Sequence, residues 1–221
     1  MNYLAHALLA EPHRFSIIGN IAGDLVKGRL EDQDLHPRVA EGVRRHRRVD
    51  ALTDAHPRYR ALVGCFPLPY RRVAPIVLDV LFDHYLYGAW RHFTSLDRDA
   101  FISGVYAVLT APQAPLPPAL ATRASLWVDA DWLHVYRSIE GVEAVLTRLA
   151  ARSRRALPIM PALAAARDLD EVLRSGFAEV FDDVRVALDG LPGPPIAYTA
   201  RLSKAETSAE TTAQTTEERP A

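Results

Sequence analysis

Cysteine is all but missing: Cys65 is the only one among 221 residues. An internal disulfide, a thiolate zinc cluster and an iron–sulfur site are therefore excluded, and a reducing, cytoplasmic setting is expected. Lysine is almost as scarce, with Lys27 and Lys204 alone, so nearly every basic residue is an arginine. Genomic base composition accounts for that as readily as a need for bidentate contacts does. No stretch approaches the roughly 20 apolar residues of a membrane span. Residues 1–10 lack a basic start and carry His6 inside their apolar run, so neither a membrane segment nor a targeting signal is expected. The formal net charge is -1, which gives non-specific nucleic-acid binding no support. Alternating strand patterns are rare, and nothing repeats at a fixed period, which argues against a solenoid.

What is present is apolar material at helical spacing. Hydrophobic residues make up 49% of the chain and charged residues 24%, enough to bury a core without crosslinks. Periodicity predicts an all-α protein with helices over 2–10, 16–27, Pro37–Ala55, 70–90, 97–109, 119–128, 131–136, 139–153 and 163–188. Gly28 is expected to end the second helix and Pro57 the third, and 70–90 reads as a central helix with Pro75 in its first turn or at a kink. One helical domain is expected over 1–191. Residues 198–221, rich in Thr, Ala, Glu and Ser without apolar periodicity, are expected to form a disordered tail.

Several polar residues stand where the pattern calls for apolar ones. The 70–90 segment is hydrophobic round almost its whole circumference, the mark of a helix buried on all sides, yet it contains Asp79, Asp83 and His84. At about 100° per residue the two aspartates lie about 40° apart, with His84 about 100° beyond Asp83. Buried carboxylates on one face repel and are costly to desolvate, so a bound cation would relieve both problems; arginines or helix caps are the structural alternative. In the third helix His46, Asp50 and Asp54 follow at i, i+4 and continue the Val39–Val43 stripe, which points His46 and Asp50 inward. Arg44 and Arg48 then face solvent, with Arg45 on the flank. Asn20 and Asp24 share a helical face between Gly19 and Gly23, and His6 stands among leucines. This nitrogen and carboxylate set, without thiolate, favours manganese or magnesium, with iron as a further candidate. Helices offering His and Asp to an interior metal resemble HD-type phosphohydrolases in residue type. The adjacent pair here runs Asp83 then His84, the reverse of that superfamily's order, so no ligand role carries over.

The blocks Met1-Asn2-Tyr3-Leu4-Ala5-His6, Gly19-Asn20 with Asp24, His46-Arg47-Arg48-Val49-Asp50 with Thr53-Asp54, and Arg72-Val73-Ala74-Pro75-Ile76 with Leu78-Asp79-Val80 and Asp83-His84 resemble, in order and spacing, the acyl carrier protein phosphodiesterase family. They cover about the first 90 residues; Trp90 and the segment 127–136 also fit. The resemblance implies a metal-dependent hydrolase, manganese-dependent by expectation, that releases 4'-phosphopantetheine from holo-acyl carrier protein. Such chemistry needs a cation to neutralise phosphoryl charge and a proton donor for the departing serine oxygen. The expected division puts Asp24, Asp79, Asp83 and His84 on the metal, His46 as general acid or base oriented by Asp50, and His6 beside the attacking water or a phosphoryl oxygen.

Between Lys27 and Arg72 there are eleven basic residues against six acidic ones. Arg44, Arg45, Arg48, Arg71 and Arg72 are accordingly expected to meet an acidic carrier protein at the rim. Two other readings use the same residues. An HD-like nucleotide phosphohydrolase would need no protein carrier, and an arginine-rich nucleic-acid-binding module would have no use for buried carboxylates.

Overall fold

The computed structural model describes residues 1–153 and 156–189, and all regular structure among them is helical. The helices are α1 (Tyr3–Leu8), α2 (Arg14–Ala22), α3 (Pro37–Ala55), α4 (Pro57–Cys65), α5 (Ala74–Gly88), α6 (Trp90–Phe93), α7 (Arg98–Thr110), α8 (Pro118–Asp129), α9 (Ile139–Arg152), α10 (Ile159–Arg167) and α11 (Asp170–Asp189), with 3-10 turns at Leu30–Asp32, Leu68–Tyr70 and Trp132–Arg137. The expected tail, 198–221, lies outside the described residues. Among the described residues no helix is long and apolar enough to cross a membrane.

Local chemistry starts the helices where the sequence allows. Two His-Pro pairs use the same device: His36 and His56 accept a hydrogen bond from the backbone N–H of Arg38 and Arg58, while Pro37 and Pro57 occupy the first turns of α3 and α4. A proline there gives up an N–H that has no helical partner anyway. Pro57 therefore both closes α3, as expected, and opens α4, a helix the periodicity reading did not separate. Asp97 and Ser138 cap α7 and α9 in the ordinary side-chain manner.

The expected boundaries shift in three places. The second helix stops at Ala22 instead of running to residue 27. The N–H groups of Leu25 and Val26 fold back on the Ala22 carbonyl, and Gly28, at φ +83°, follows in a conformation that glycine adopts freely. The 70–90 segment is three elements, the turn Leu68–Tyr70, α5 and α6, with Pro75 in the first turn of α5 instead of at a kink. The 163–188 segment breaks at Asp168 and Leu169 into α10 and α11.

Helix α5 lies at the centre, as its apolar circumference requires, against α1, α4, α6, α9, α10, α11 and the 3-10 turn Trp132–Arg137. Phe82 packs tilted against Phe177 at 5.0 Å, and Phe93 edge-on against Phe181 at 4.9 Å, so aromatic rings lock α5 and α6 to α11. At the other side α2 crosses α3 with almost no space between backbones. A Cβ built on Gly42 would stand 2.8 Å from the Ser16 carbonyl oxygen and 2.9 Å from the Gly19 Cα. That crossing, and the packing of α1 on both α2 and α5, place the residues described next.

Candidate metal centre

Four side chains from three adjacent segments converge: His6 on α1, Asp24 in the turn after α2, and His46 and Asp50 one turn apart on α3. His6 Nε2 lies 3.1 Å from Asp50 Oδ1, and His46 Nε2 lies 3.1 Å from Asp50 Oδ2 and 3.8 Å from Asp24 Oδ1. The two imidazoles stack with centroids 3.8 Å apart. Their side chains are only 2% and 4% exposed, against 40% for Asp50 and 56% for Asp24. The imidazoles thus form the floor and the carboxylates a mouth open to solvent.

Backbone geometry fixes the tautomer of His46. Its Nδ1–H donates to the Asn20 carbonyl at 2.9 Å, so Nε2 faces Asp50 and Asp24 and offers them a proton, or a lone pair to a cation that takes the proton's place. The Asn20 amide NH2 donates to the Ser16 carbonyl at 2.9 Å, bracing that stretch of α2. Gly23 leaves the room the ring needs, since a Cβ there would overlap it. His6 Nδ1 is buried without a hydrogen-bond partner.

Electrostatics push the members apart. Burial opposes a charge on His46, but the hydrogen bonds and charges of Asp24 and Asp50 outweigh it and raise its pKa to about 9. For His6, burial dominates and the pKa is lowered. Asp24 is held below the usual carboxylate range chiefly by its hydrogen bond to His46. Burial works against ionised Asp50 too, yet the two histidines bring its pKa down. Two carboxylates and an imidazole lone pair converging on one point need a positive charge between them. A proton on His46 supplies it in the metal-free molecule, and a divalent cation would suit the same donors: His6, His46 and Asp50 each offer an atom within 4.8 Å of the others.

The other expected ligands go elsewhere. Asp83 is fully buried, but its two oxygens accept the N–H groups of Leu4 at 2.7 Å and Ala5 at 3.1 Å, the unpaired donors of α1's first turn. It is a helix anchor, and the repulsion expected between it and Asp79 does not call for a metal. Asp79 forms an ion pair with the α-amino group of Met1. His84 points its Nδ1–H at the Tyr136 carbonyl, 2.7 Å away on the 3-10 turn. Each of the three thus has a protein partner that the local sequence did not disclose, and none belongs to the group formed by His6, His46 and Asp50. Asp54 continues the α3 stripe out into solvent.

The arginine face is also partly spent. Arg45 reaches the Leu9 carbonyl and Asp189, and Arg48 the Ala187 carbonyl, so both tie α3 to neighbouring chain instead of standing free. Arg44 pairs with Glu41 at 2.7 Å and lies 3.8 Å from Glu31. Arg71 is exposed with its Nε–H on the Phe66 carbonyl, and Arg72 is exposed beside it.

Fold and site together define an all-helical protein built around an interhelical His/Asp centre suited to a divalent cation. The family model described as acyl carrier protein phosphodiesterase matches residues 1–184, and the chain belongs to that family. Among its relatives, a protein of Serratia proteamaculans named acyl carrier protein phosphodiesterase is 37% identical over 158 residues, 70% of this chain and 80% of the relative. One of the same name from Yersinia enterocolitica is 37% identical over 155 residues, 69% of this chain and 79% of the relative. No solved structure matches the chain.

Proposed function

We propose that this protein hydrolyses the phosphodiester joining 4'-phosphopantetheine to the serine of holo-acyl carrier protein. Water adds to phosphorus, the bond from phosphorus to the serine oxygen breaks, and that oxygen takes a proton, giving apo-carrier protein and free 4'-phosphopantetheine. The observation that carries the reading is the convergence of His6, Asp24, His46 and Asp50 in a chain of this family.

His6 Nε2, His46 Nε2 and the carboxylates of Asp50 and Asp24 are the groups that would hold the cation, and manganese is the metal proposed, with magnesium or iron as substitutes. When bound, the cation supplies charge neutralisation at the phosphoryl group. The chain supplies position. Asp50 joins the two imidazoles, the Asn20 carbonyl prevents the His46 ring from turning, and Asp83 holds the start of α1, which carries His6. The exposed carboxylate mouth admits a diester still attached to a folded carrier. Carriers are acidic, and Arg71 and Arg72 are the exposed cations best suited to meet one; Arg44 is already shared with two glutamates.

The test is the mass of the carrier after incubation of holo-carrier with the manganese-loaded protein. Loss of the phosphopantetheine mass, abolished by chelation, is expected. An unchanged carrier, or turnover of nucleotide diesters without any carrier, would replace this reading with a small-molecule phosphohydrolase.

A further inference from the structure

Next to the His/Asp centre stands an aromatic wall that none of the chemistry above uses. Tyr3, one helical turn before His6 on α1, meets Trp127 of α8 at 5.1 Å and Trp132 of the 3-10 turn at 6.2 Å between ring centroids. Trp127 and Trp132 lie 5.4 Å apart, and Tyr106 of α7 closes the group 5.2 Å from Trp132. Tyr3, Trp127 and Trp132 are each only partly buried, so ring surface remains available. The wall is joined to the centre through one short helix. Burial, and after it the charge of Asp24, push the Tyr3 phenol up to about 12 against the opposing charges of Arg123 and Arg152.

One atom of the wall lacks a partner. Trp132 Nε1 is buried without a hydrogen-bond acceptor, whereas Trp90, away from the wall, donates its indole N–H to the Leu96 carbonyl at 2.8 Å. A buried donor left unpaired keeps the cost of its desolvation without return. A ligand bearing an amide carbonyl would relieve that cost while covering the rings.

Resting on the hydrolase reading, we propose that Tyr3, Trp127 and Trp132 hold the pantetheine arm of the substrate, with Trp132 Nε1–H donating to one of its amide carbonyls. The chemistry of the arm matches the wall: a geminal dimethyl group to lie on aromatic faces, and amides to accept from an indole. Helix α1 carries both His6 of the centre and Tyr3 of the wall, so an arm leaving a phosphate at the centre along α1 would meet the rings. The wall gives the pantetheine part of the diester a binding contact that a His/Asp metal centre alone does not supply. A substrate-side hydrogen bond to an otherwise unpaired group is also the kind of contact that rejects analogues lacking the acceptor.

Two of the protein's three tryptophans are in the wall, so their fluorescence reports on it directly. The manganese-loaded full chain is titrated with pantetheine, which lacks the phosphate, and separately with inorganic phosphate and with apo-carrier protein. Pantetheine should quench or shift the emission, and phosphate and apo-carrier should not. Trp132→Phe, which keeps the ring and loses the donor, should raise the titration midpoint at least tenfold, and Trp127→Leu should do likewise. The same variants should raise KM for holo-carrier more than they lower kcat. Helical circular dichroism and metal content establish that each variant is folded and loaded, and if one fails that check the other carries the comparison. An emission unmoved by pantetheine, a response to apo-carrier alone, or equal midpoints in wild type and variants overturns the proposal. Wild type that binds pantetheine but leaves holo-carrier intact would overturn the hydrolase reading and keep the wall. Wild type that hydrolyses holo-carrier without a pantetheine response would do the reverse.

Discussion

Two aspartates show how the same side chain serves opposite ends. Asp50 is partly exposed and flanked by imidazoles that keep it ionised. Asp83 is sealed in apolar surroundings, and burial raises its pKa to about 7 even though two backbone N–H groups favour the anion. A proton-linked stability follows, with a definite sign. Asp83 has an ordinary pKa of 3.8, raised to about 7 in the fold, and His46 has an ordinary pKa of 6.5, raised to about 9. In each case the folded state binds more protons than the unfolded chain between the two values, so stability falls as pH rises. The metal-free protein should thus lose Tm from about pH 4 to 7 through Asp83, offset below pH 6.5 by His6 with its lowered pKa, and lose Tm unopposed by it from about pH 6.5 to 9 through His46, as read by thermal unfolding in chelator. Saturating manganese should remove the upper part of that loss, because the cation takes the place of the His46 proton. A metal-free Tm that climbs between pH 7 and 9 would contradict the arrangement around His46. Asp83→Asn tests the anchor separately. An amide presents an NH2 to one of two backbone donors, leaving that donor buried and unpaired at a cost of about 1–3 kcal/mol. Activity should fall with it, since His6 follows two residues after the anchored Leu4.

At the level of elements, the centre depends on how closely α2 approaches α3. Gly23→Ala would drive a methyl group into the His46 ring. The ring must then leave the Asn20 carbonyl, so manganese affinity and kcat should drop together. The fold loses only the roughly 1–3 kcal/mol typical of overpacking, because the rest of the α2–α3 contact is untouched. Calorimetric titration of metal beside a melting curve separates these effects, and a variant with wild-type affinity would show that His46 is not held as described. Much of this architecture was legible in the sequence. The 3.6-residue period and the flanking prolines placed α3, α7, α8 and α9 closely, and the i, i+4 stripe of His46 and Asp50 pointed inward as the structure has it. Asp83 was legible as buried but not as an anchor, whereas Asp79, expected to be buried with it, stands partly exposed. Their partners are the backbone N–H groups of α1 and the amine of Met1, groups every sequence contains and none advertises. The α10–α11 break was hidden for a similar reason, as no glycine or proline marks Asp168 or Leu169.

Over the whole molecule, the four converging side chains come from residues 6 to 50 and from three segments held to one another mainly by apolar packing. A cation gripping all three should act as a crosslink present only in the folded state, because the unfolded chain cannot bring these donors together. At a manganese concentration 100 times the dissociation constant the linkage is worth about 2.7 kcal/mol. For a chain of this size that corresponds to a rise in Tm of about 5 to 11 °C. Asp24→Ala discriminates between a site and a nonspecific salt effect. Asp24 is the most exposed member and lies in a turn, so in chelator the variant should melt close to wild type, with the loss of one partly screened pair to His46. In manganese it should show little of the wild-type rise, and holo-carrier hydrolysis should fall by orders of magnitude. Calcium, which prefers more oxygen ligands than this nitrogen-bearing set offers, should stabilise wild type far less than manganese at equal concentration. Equal shifts in wild type and Asp24→Ala, or equal shifts with both cations, would mean that the ion acts elsewhere on the surface and that the four side chains are held together by their proton alone.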